Sequence, residues 1–359
     1  MSGDGYQKLL TAVVPVYKVE LSFLGQCFES ILAQTFTDYE LVIVNDGAPE
    51  DVTGFIDSYD FGDADVKKIR QENKGVAVAR NAGIDAATGK YVTFIDCDDT
   101  VRNDMFEGIV SYAEENDLEA LMWGLSWNYP DHTYKFSPYV CDIPKFSKSQ
   151  LTEVQYKCLV GTLPFYVSPP AGEDAAGSAG AKLYNVGFLR ENGLKFVPGL
   201  VKSEDMLFNL MVFDAAKSAG FLHRFYYNYR ILDSSASFRY RKNSLDIMTP
   251  VLEEIRKFLV SKNKPDLFFQ VYYMRCMFFY IESMDTEYLN ADNPEPLKDR
   301  IRALKQQAQR EPYATAFTKL SGKYLTFARK IPLFLIRHNM FATLMLFYGV
   351  FKKIRGIRK

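Results

Sequence analysis

Three carboxylates in four positions, Asp96-Cys97-Asp98-Asp99, close an apolar run at Tyr91–Ile95. Like charges this close repel one another unless a cation or a set of donors sits among them. A hard divalent ion with oxygen ligands, Mg2+ or Mn2+, suits such a turn and would also bridge the phosphates of a substrate. A solvated acidic turn that caps the following helix uses the same residues, and these four letters alone leave both readings open. A second acidic pair, Glu204-Asp205, follows Ser203 and precedes apolar residues at helical spacing (Met206, Leu207, Leu210, Phe213). That pattern predicts a helix start with Ser203 as N-cap and two carboxylates facing the positive end of the helix dipole. Glu173-Asp174 is a rival pair without a cap or a following periodicity. Tyr226-Tyr227-Asn228-Tyr229-Arg230, followed by Ser234, Ser235, Ser237, Arg239 and Arg241, reads as an aromatic strand that delivers cations to a loop, or as an edge strand with solvated arginines. His223, among apolar neighbours, reads as structural.

The elements that must hold these groups alternate. Leu9–Val16, Tyr39–Val44, Val66–Ile69 and Tyr91–Ile95 are short apolar or β-branched runs that predict strands. Between them Glu20–Ala33, Asp51–Tyr59 and Gly75–Ala87 carry helical spacing. Strands separated by helices predict right-handed crossovers and a parallel sheet, whose ligands bind beyond the carboxyl ends of the strands. Asp46 and Asp96 both fall at such ends. Further on, Pro164–Ala181 is rich in Pro, Gly and Ala and predicts a mobile loop. Ser203–Ala216 predicts a helix, and residues from Asp246 to about Gln309 are mostly helical, with breaks near Pro265 and Asn293-Pro294.

Composition excludes several alternatives. The 359 residues hold 43 basic and 44 acidic side chains, a net charge of −1. From Ser321 onward there are nine basic residues and no acidic one, which leaves the first 320 residues with 34 basic and 44 acidic groups, a net of −10. An acidic body disfavours wrapping nucleic acid. Five scattered cysteines (Cys27, Cys97, Cys141, Cys158, Cys276) without a C-x-x-C disfavour a disulfide framework or a zinc knuckle, and three histidines are few for a His-ligated metal. The opening MSGDGYQKLL lacks the pattern of a secretion signal. Neither G-x-G-x-x-G nor a P-loop motif occurs, so dinucleotide and P-loop readings fall away.

Five blocks in one order carry a resemblance: Val14-Pro15-Val16-Tyr17; Gln34-Thr35-Phe36-Thr37-Asp38-Tyr39-Glu40-Leu41; Val44-Asn45-Asp46-Gly47; Asn73-Lys74-Gly75 with Ala79-Arg80-Asn81-Ala82-Gly83; and Gly89-Lys90-Tyr91 leading into Phe94-Ile95-Asp96-Cys97-Asp98-Asp99. Together they resemble glycosyltransferase family 2, inverting enzymes that use nucleotide sugars, over roughly the first 110 residues and more faintly to Ser237. The resemblance implies a GT-A fold: an α/β, Rossmann-like, mostly parallel sheet flanked by helices, followed by a helical C-terminal region. It implies a nucleotide-sugar half at 1–110, an acceptor-side half at 111–242, a helical region at 243–320 and a basic tail at 321–359. By the same resemblance Pro15, Tyr17 and Asp46 hold the base and ribose of a UDP-sugar, and Lys74, Arg80 and Arg230 approach the base or the diphosphate. Asp96 contacts ribose or sugar, Asp98 ligates Mn2+ or Mg2+, and Asp205 is the general base, with Glu204 as support or alternative base. The chain departs from the family pattern at Ala48, where Ser or Thr is more usual, and near Gly180-Ala181, where an aromatic residue often stands. The acceptor implied is a glycan or lipid-linked oligosaccharide of polysaccharide biosynthesis at the cytoplasmic membrane face. Two other classes fit less well. Asp96-Cys97-Asp98-Asp99-Thr100 also fits the D-x-D-x-T of haloacid-dehalogenase-type phosphatases, with Asp96 as nucleophile, but the lysine and G-D-x-x-x-D-like motif this needs downstream are missing. A catalytically silent binding module would not need Asp96, Asp98 and Asp205 together.

The tail raises a membrane question. Ile331–Phe351 is 21 mostly apolar residues, about 31 Å as one helix. Arg337-His338-Asn339 sits near its middle, where an arginine costs roughly 2.5–3.5 kcal/mol to insert. The expectation is an interfacial segment at 331–359 whose cations meet anionic headgroups; the alternative is a helix packed on the protein.

Overall fold

The first strand explains why the first half folds as it does. In the computed structural model, which describes residues 6–160, 176–231 and 240–354, β1 (Lys8–Val16) sends Leu10, Ala12, Val14 and Val16 into one apolar layer and Val13 into the other. A strand covered on both faces must be apolar throughout, which is the continuous run seen in the sequence. The chain continues α1 (Leu21–Leu32), β2 (Tyr39–Asp46), α2 (Glu50–Ser58), β3 (Val66–Gln71), α3 (Val76–Ala86) and β4 (Gly89–Phe94). β1 pairs in parallel with β2 and β4, and β2 with β3. The expected alternation and parallel pairing are therefore present, within a residue or two at most ends.

The same sheet goes on past residue 110. β5 (Thr100–Val101), α4 (Met105–Glu115), β6 (Ala120–Asn128), β7 (Thr133–Phe136), α5 (Lys148–Val160), β8 (Lys182–Asn185), α6 (Val186–Glu191), α7 (Glu204–Ala215) and β9 (Ala219–Arg230) follow. The strand order is β3-β2-β1-β4-β8-β6-β9-β5, with β7 beside β6. β8 joins antiparallel to both β4 and β6, and β9 runs parallel to β6. The sheet is mixed as a whole and parallel in its first four strands. Residues 161–175 lie outside the described residues, and with them most of the stretch read as a mobile loop, including Glu173-Asp174. Its described end differs from that reading: Ala176, Ala179 and Ala181 are buried.

The small residues of α3 have a steric cause. A Cβ on Gly83 would lie 2.3 Å from Val13 Cγ1, so α3 rests on β1 with nothing between. This contact brings the start of α3 over the carboxyl ends of the strands.

The chain divides into two compact units, the sheet unit and a helical unit that takes in residues 240–354. The helical unit contains α8 (Ser244–Ser261), α9 (Asp266–Ser283) continued by a π turn (Met284–Tyr288), α10 (Leu297–Ala308), α11 (Tyr313–Lys319), a 3-10 turn (Gly322–Tyr324), α12 (Phe327–Arg337) and α13 (Phe341–Ile354). The breaks at Pro265 and Asn293-Pro294 stand where expected. α9 is apolar on every side because every side is covered: Phe268, Val271, Tyr272, Met274, Cys276, Met277, Tyr280 and Ile281 are all buried. The tail differs from the 21-residue helix considered for it. Asn339 takes a left-handed φ of +57°, and the Arg337 guanidinium donates to the Phe317, Thr318 and Leu320 carbonyls. The arginine thereby satisfies the open end of α11 and the chain turns there. Among the described residues no helix is long and apolar enough to cross a membrane.

Gly83→Ala is expected to cost about 1–3 kcal/mol by overpacking, read as a lower urea midpoint. Adding Val13→Ala should recover part of the loss; equal midpoints for wild type and Gly83→Ala would refute the close approach.

Candidate active site

β1, β2 and β4 end at one edge of the sheet unit. The register pairs Val16 with Asn45 and Val13 with Phe94, so Pro15-Val16-Tyr17, Asp46-Gly47 and Asp96-Cys97-Asp98-Asp99 follow from adjacent strands. The Cys97 thiol meets the Tyr17 backbone, and the Tyr17 ring is partly open to solvent at 39%.

Asp46 is 3% exposed. Its Oδ1 accepts from Gln71 Nε2 at 2.6 Å and Lys74 N at 2.9 Å, and its Oδ2 from Gly75 N at 2.9 Å. A carboxylate offers about four acceptor positions, so the last residue of β3 and the loop after it occupy three and leave one. The glycine beside it is obligatory: Gly47 has φ +69°, and a Cβ there would lie 2.7 Å from Asn73 N. Lys74, fixed through its backbone, presents an exposed ammonium with no ion pair among the described residues.

Arg80, expected at the base or the diphosphate, is buried to 4% exposure and engaged with protein. Its Nη2 donates to Asp96 Oδ1 at 2.9 Å and its Nη1 to Glu204 Oε1 at 2.7 Å. The guanidinium lies 5.4 Å from the Phe196 ring centroid, and its Nε has no partner among the described residues. Burial opposes its charge, but Asp96, Glu204 and Asp205 more than offset this, and its pKa is raised. Arg80 therefore joins the acidic turn after β4 to the acidic pair that opens α7.

The three carboxylates of that turn have different tasks. Asp99 is buried, and accepts from the Tyr227 hydroxyl at 2.8 Å and from Arg230 N at 2.8 Å. Burial and the Asp96 and Asp98 charges push its pKa well up. Tyr227 in turn receives the Asp96 N–H at 3.0 Å. Asp96 is held by Arg80. Asp98 remains, with its side chain open to solvent and its backbone carbonyl accepting from Arg230 Nε at 2.9 Å. The surrounding protein and the Asp96 charge raise its pKa, and Arg230 lowers it. One free, crowded carboxylate is the donor set expected for Mg2+ or Mn2+, which take one or two carboxylates and complete their shell with substrate phosphate and water. Among the described residues no three His, Cys, Asp or Glu side chains form a closed metal cage. Arg230 also donates to Gln26 Oε1 at 2.6 Å and stacks 4.2 Å over Phe23, which fixes it beside Asp98. Arg241 lies in the helical unit, and Arg239 and the serines at 234, 235 and 237 fall outside the described residues.

α7 starts as expected at Glu204, but its cap differs. Ser203 has a left-handed φ of +62° and makes no side-chain capping bond. Asp205 Oδ1 instead accepts from Met206 N at 2.8 Å. Burial and the neighbouring Glu204 charge push the Asp205 carboxyl up to about 7, with Arg80 acting in the opposite direction. A carboxylate that titrates near neutrality is matched to proton transfer. Several supports escaped sequence reasoning. Asn209 donates to the carbonyls of Asp205, Gly177 and Ser178 and accepts from Tyr184 Oη. Asn81 pairs with the Phe196 backbone through both its amide atoms at 2.8 Å. Asn81 lies in the Ala79–Gly83 block, which was the available signal; Asn209 gave none beyond a polar residue on an apolar helix.

The model of glycosyl transferase family 2 matches residues 11–161. EpsJ, an uncharacterized glycosyltransferase of Bacillus subtilis (strain 168), is 31% identical over 222 residues, 62% of this chain and 61% of EpsJ, so the chain spans less than two thirds of that relative. EpsH, named as a glycosyltransferase of the same strain, is 30% identical over 258 residues, 71% of this chain and 70% of EpsH. Residues 1–349 of Staphylococcus aureus TarS, solved with UDP-GlcNAc, superpose with a TM-score of 0.65 at 17% identity, covering 96% of this chain and 92% of that one. At that identity the likeness speaks for the fold.

Arg80→Met should destabilise by about 3–5 kcal/mol at pH 7, because it strands a buried carboxylate. Arg80→Met with Glu204→Leu should recover most of this, and a double variant no more stable than the single would refute the pairing. A carboxyl whose pKa rises on folding binds its proton more tightly when folded, so its contribution to stability is lost as pH rises from about 4 to about 7. Asp205→Asn should therefore raise Tm relative to wild type at pH 8 and not at pH 4, as read by calorimetry.

Proposed function

Because the chain belongs to glycosyl transferase family 2, we propose that it moves a sugar from a UDP-linked donor to a glycan hydroxyl, with inversion at the anomeric carbon. The observation that carries this reading is the Asp96–Arg80–Glu204 chain, which holds a carboxylate titrating near 7, Asp205, in a fixed relation to the acidic turn at the strand ends. The donor class is supported by the TarS fold, which binds UDP-GlcNAc in its own crystal. The membership also leaves the phosphatase reading without support, and an Asp96 engaged by Arg80 is poorly placed to serve as a nucleophile.

The chemistry follows from these positions. Inversion is a single displacement: the acceptor oxygen forms its bond to the anomeric carbon as the bond to the diphosphate breaks and its electron pair leaves with the diphosphate. Asp205 takes the acceptor proton as that oxygen attacks. Glu204, committed to Arg80, supports Asp205 and is not the base. Pro15, Tyr17 and the remaining acceptor position on Asp46 receive the nucleoside. Lys74 and Arg230 supply positive charge to the diphosphate. Asp98 would hold Mn2+ or Mg2+, which stabilises the charge of the departing diphosphate. The acceptor is a lipid-linked oligosaccharide of polysaccharide biosynthesis at the cytoplasmic membrane face, a reading supported by the basic C-terminal segment.

Asp205→Asn is expected to lower transfer by about 100-fold or more while UDP binding with Mn2+, followed by thermal shift, stays within a few-fold. Wild-type transfer by that variant would remove the base assignment. Wild-type kcat/KM should rise with pH through about 7. A panel of nucleotide sugars assayed for nucleotide release identifies the donor.

A further inference from the structure

The last two helices present an outward face that their packing leaves unexplained. α12 buries Leu333, Leu335 and Ile336, and α13 buries Phe341, Leu344 and Met345. Other apolar residues of the two helices and the turn between them face solvent: Phe327 is 80% exposed, Phe334 54%, Met340 41%, Leu346 69% and Val350 48%. In α12 the exposed residues follow helical spacing, Phe327, Lys330, Phe334, so apolar rings alternate with a cation on one stripe. Lys323 and Lys330 are exposed, and residues 321–359 contain nine cations and no carboxylate.

We infer that this stripe on α12 and α13 rests on an anionic lipid surface, with the rings and leucines in the acyl boundary and the lysines at the headgroups. The inference rests on the lipid-linked acceptor proposed above and names the surface that meets it. Geometry and charge both favour lipid. α13, at 14 residues, is about 21 Å long, too short to span, and the turn at Asn339 breaks the two helices apart. Helices that are amphipathic, cationic and short lie in the interface plane. Charge selects among occupants. A two-fold dimer through this face would bring the same cations against each other, whereas an anionic leaflet attracts juxtamembrane lysines. Arg337, bound to the carbonyls that end α11, and Arg329, stacked 4.9 Å from the Phe278 ring centroid, serve the helical unit and are not assigned to lipid.

The test uses the full chain in flotation with phosphatidylglycerol-rich and with pure phosphatidylcholine vesicles. Wild type should float with the anionic vesicles and not with the neutral ones. Phe334→Ser with Leu346→Ser, both at exposed positions, should weaken that binding by about tenfold or more, and Lys323→Glu with Lys330→Glu should weaken it and its salt dependence together. Nucleotide release from the donor in detergent should be unchanged in both variants, which separates this inference from the catalytic reading. Variants that float like wild type would move the contact to another surface, and a wild type that floats with neither vesicle would overturn the inference. Concentration-dependent dimerisation lost in the serine variant, without vesicle binding, would assign the face to a second copy instead.

Discussion

One buried guanidinium organises the edge at the carboxyl ends of the strands. Arg80 reaches Asp96 on the turn after β4 and Glu204 at the start of α7, two elements that the sequence separates by more than a hundred residues. A charge in the interior is costly unless it is paired and hydrogen-bonded, so neither acidic element can shift without exposing the arginine to an unpaired state. Gly83 has a part in this. Because α3 lies directly on β1, Arg80, three residues earlier on that helix, is carried to the ends of the strands. The ring of Phe196, held from behind by Asn81, closes the remaining side.

The division of labour among adjacent carboxylates follows from that constraint. Asp99 is spent inside the protein on Tyr227 and the Arg230 backbone. Asp96 gives one oxygen to Arg80 and keeps a side chain 33% exposed, and Asp98 is exposed. A turn that looks from its letters like a cluster of equivalent carboxylates thus holds three acids in different surroundings. Asp46 follows the same logic, with three of its acceptor positions given to Gln71 at the end of β3 and to the loop that carries Lys74. Preorganisation is thus built from the same residue type as binding, and burial decides which acid does which.

The alternation of strands and helices over the first hundred residues was legible because β1, β2 and β4 are covered on both faces and the helices on one, which imposes the periods read from the sequence; β3, at the sheet edge, is only partly covered. The acidic turn, Asp46 and the start of α7 were legible for the same reason: they are where those periods end. The protein partners of Arg80 were not legible, since an ion pair across 124 positions leaves no trace in local spacing. Ser203 misled because the cap rule assumes an extended residue, while here the backbone is left-handed. Asn209 was invisible as a site residue, and Tyr227 was legible only as one member of the Tyr226–Arg230 run; only the fold sets them against Asp205 and Asp99. In the tail, composition showed the cations and the central arginine but not that the arginine would turn inward to end α11.

Burial of the carboxyl groups at this edge also alters how the molecule behaves as a polyion. The formal charge of −1 counts every carboxyl as ionised, yet Asp99 and Asp205 both favour their protons once folded. Lys182, buried at the start of β8 and drawn down to about 8 by that burial, still carries its charge at neutrality. At neutral pH the folded chain therefore carries less negative charge at this edge than its composition indicates. Unfolding releases those protons, so the native and denatured chains differ in electrophoretic mobility as well as in shape.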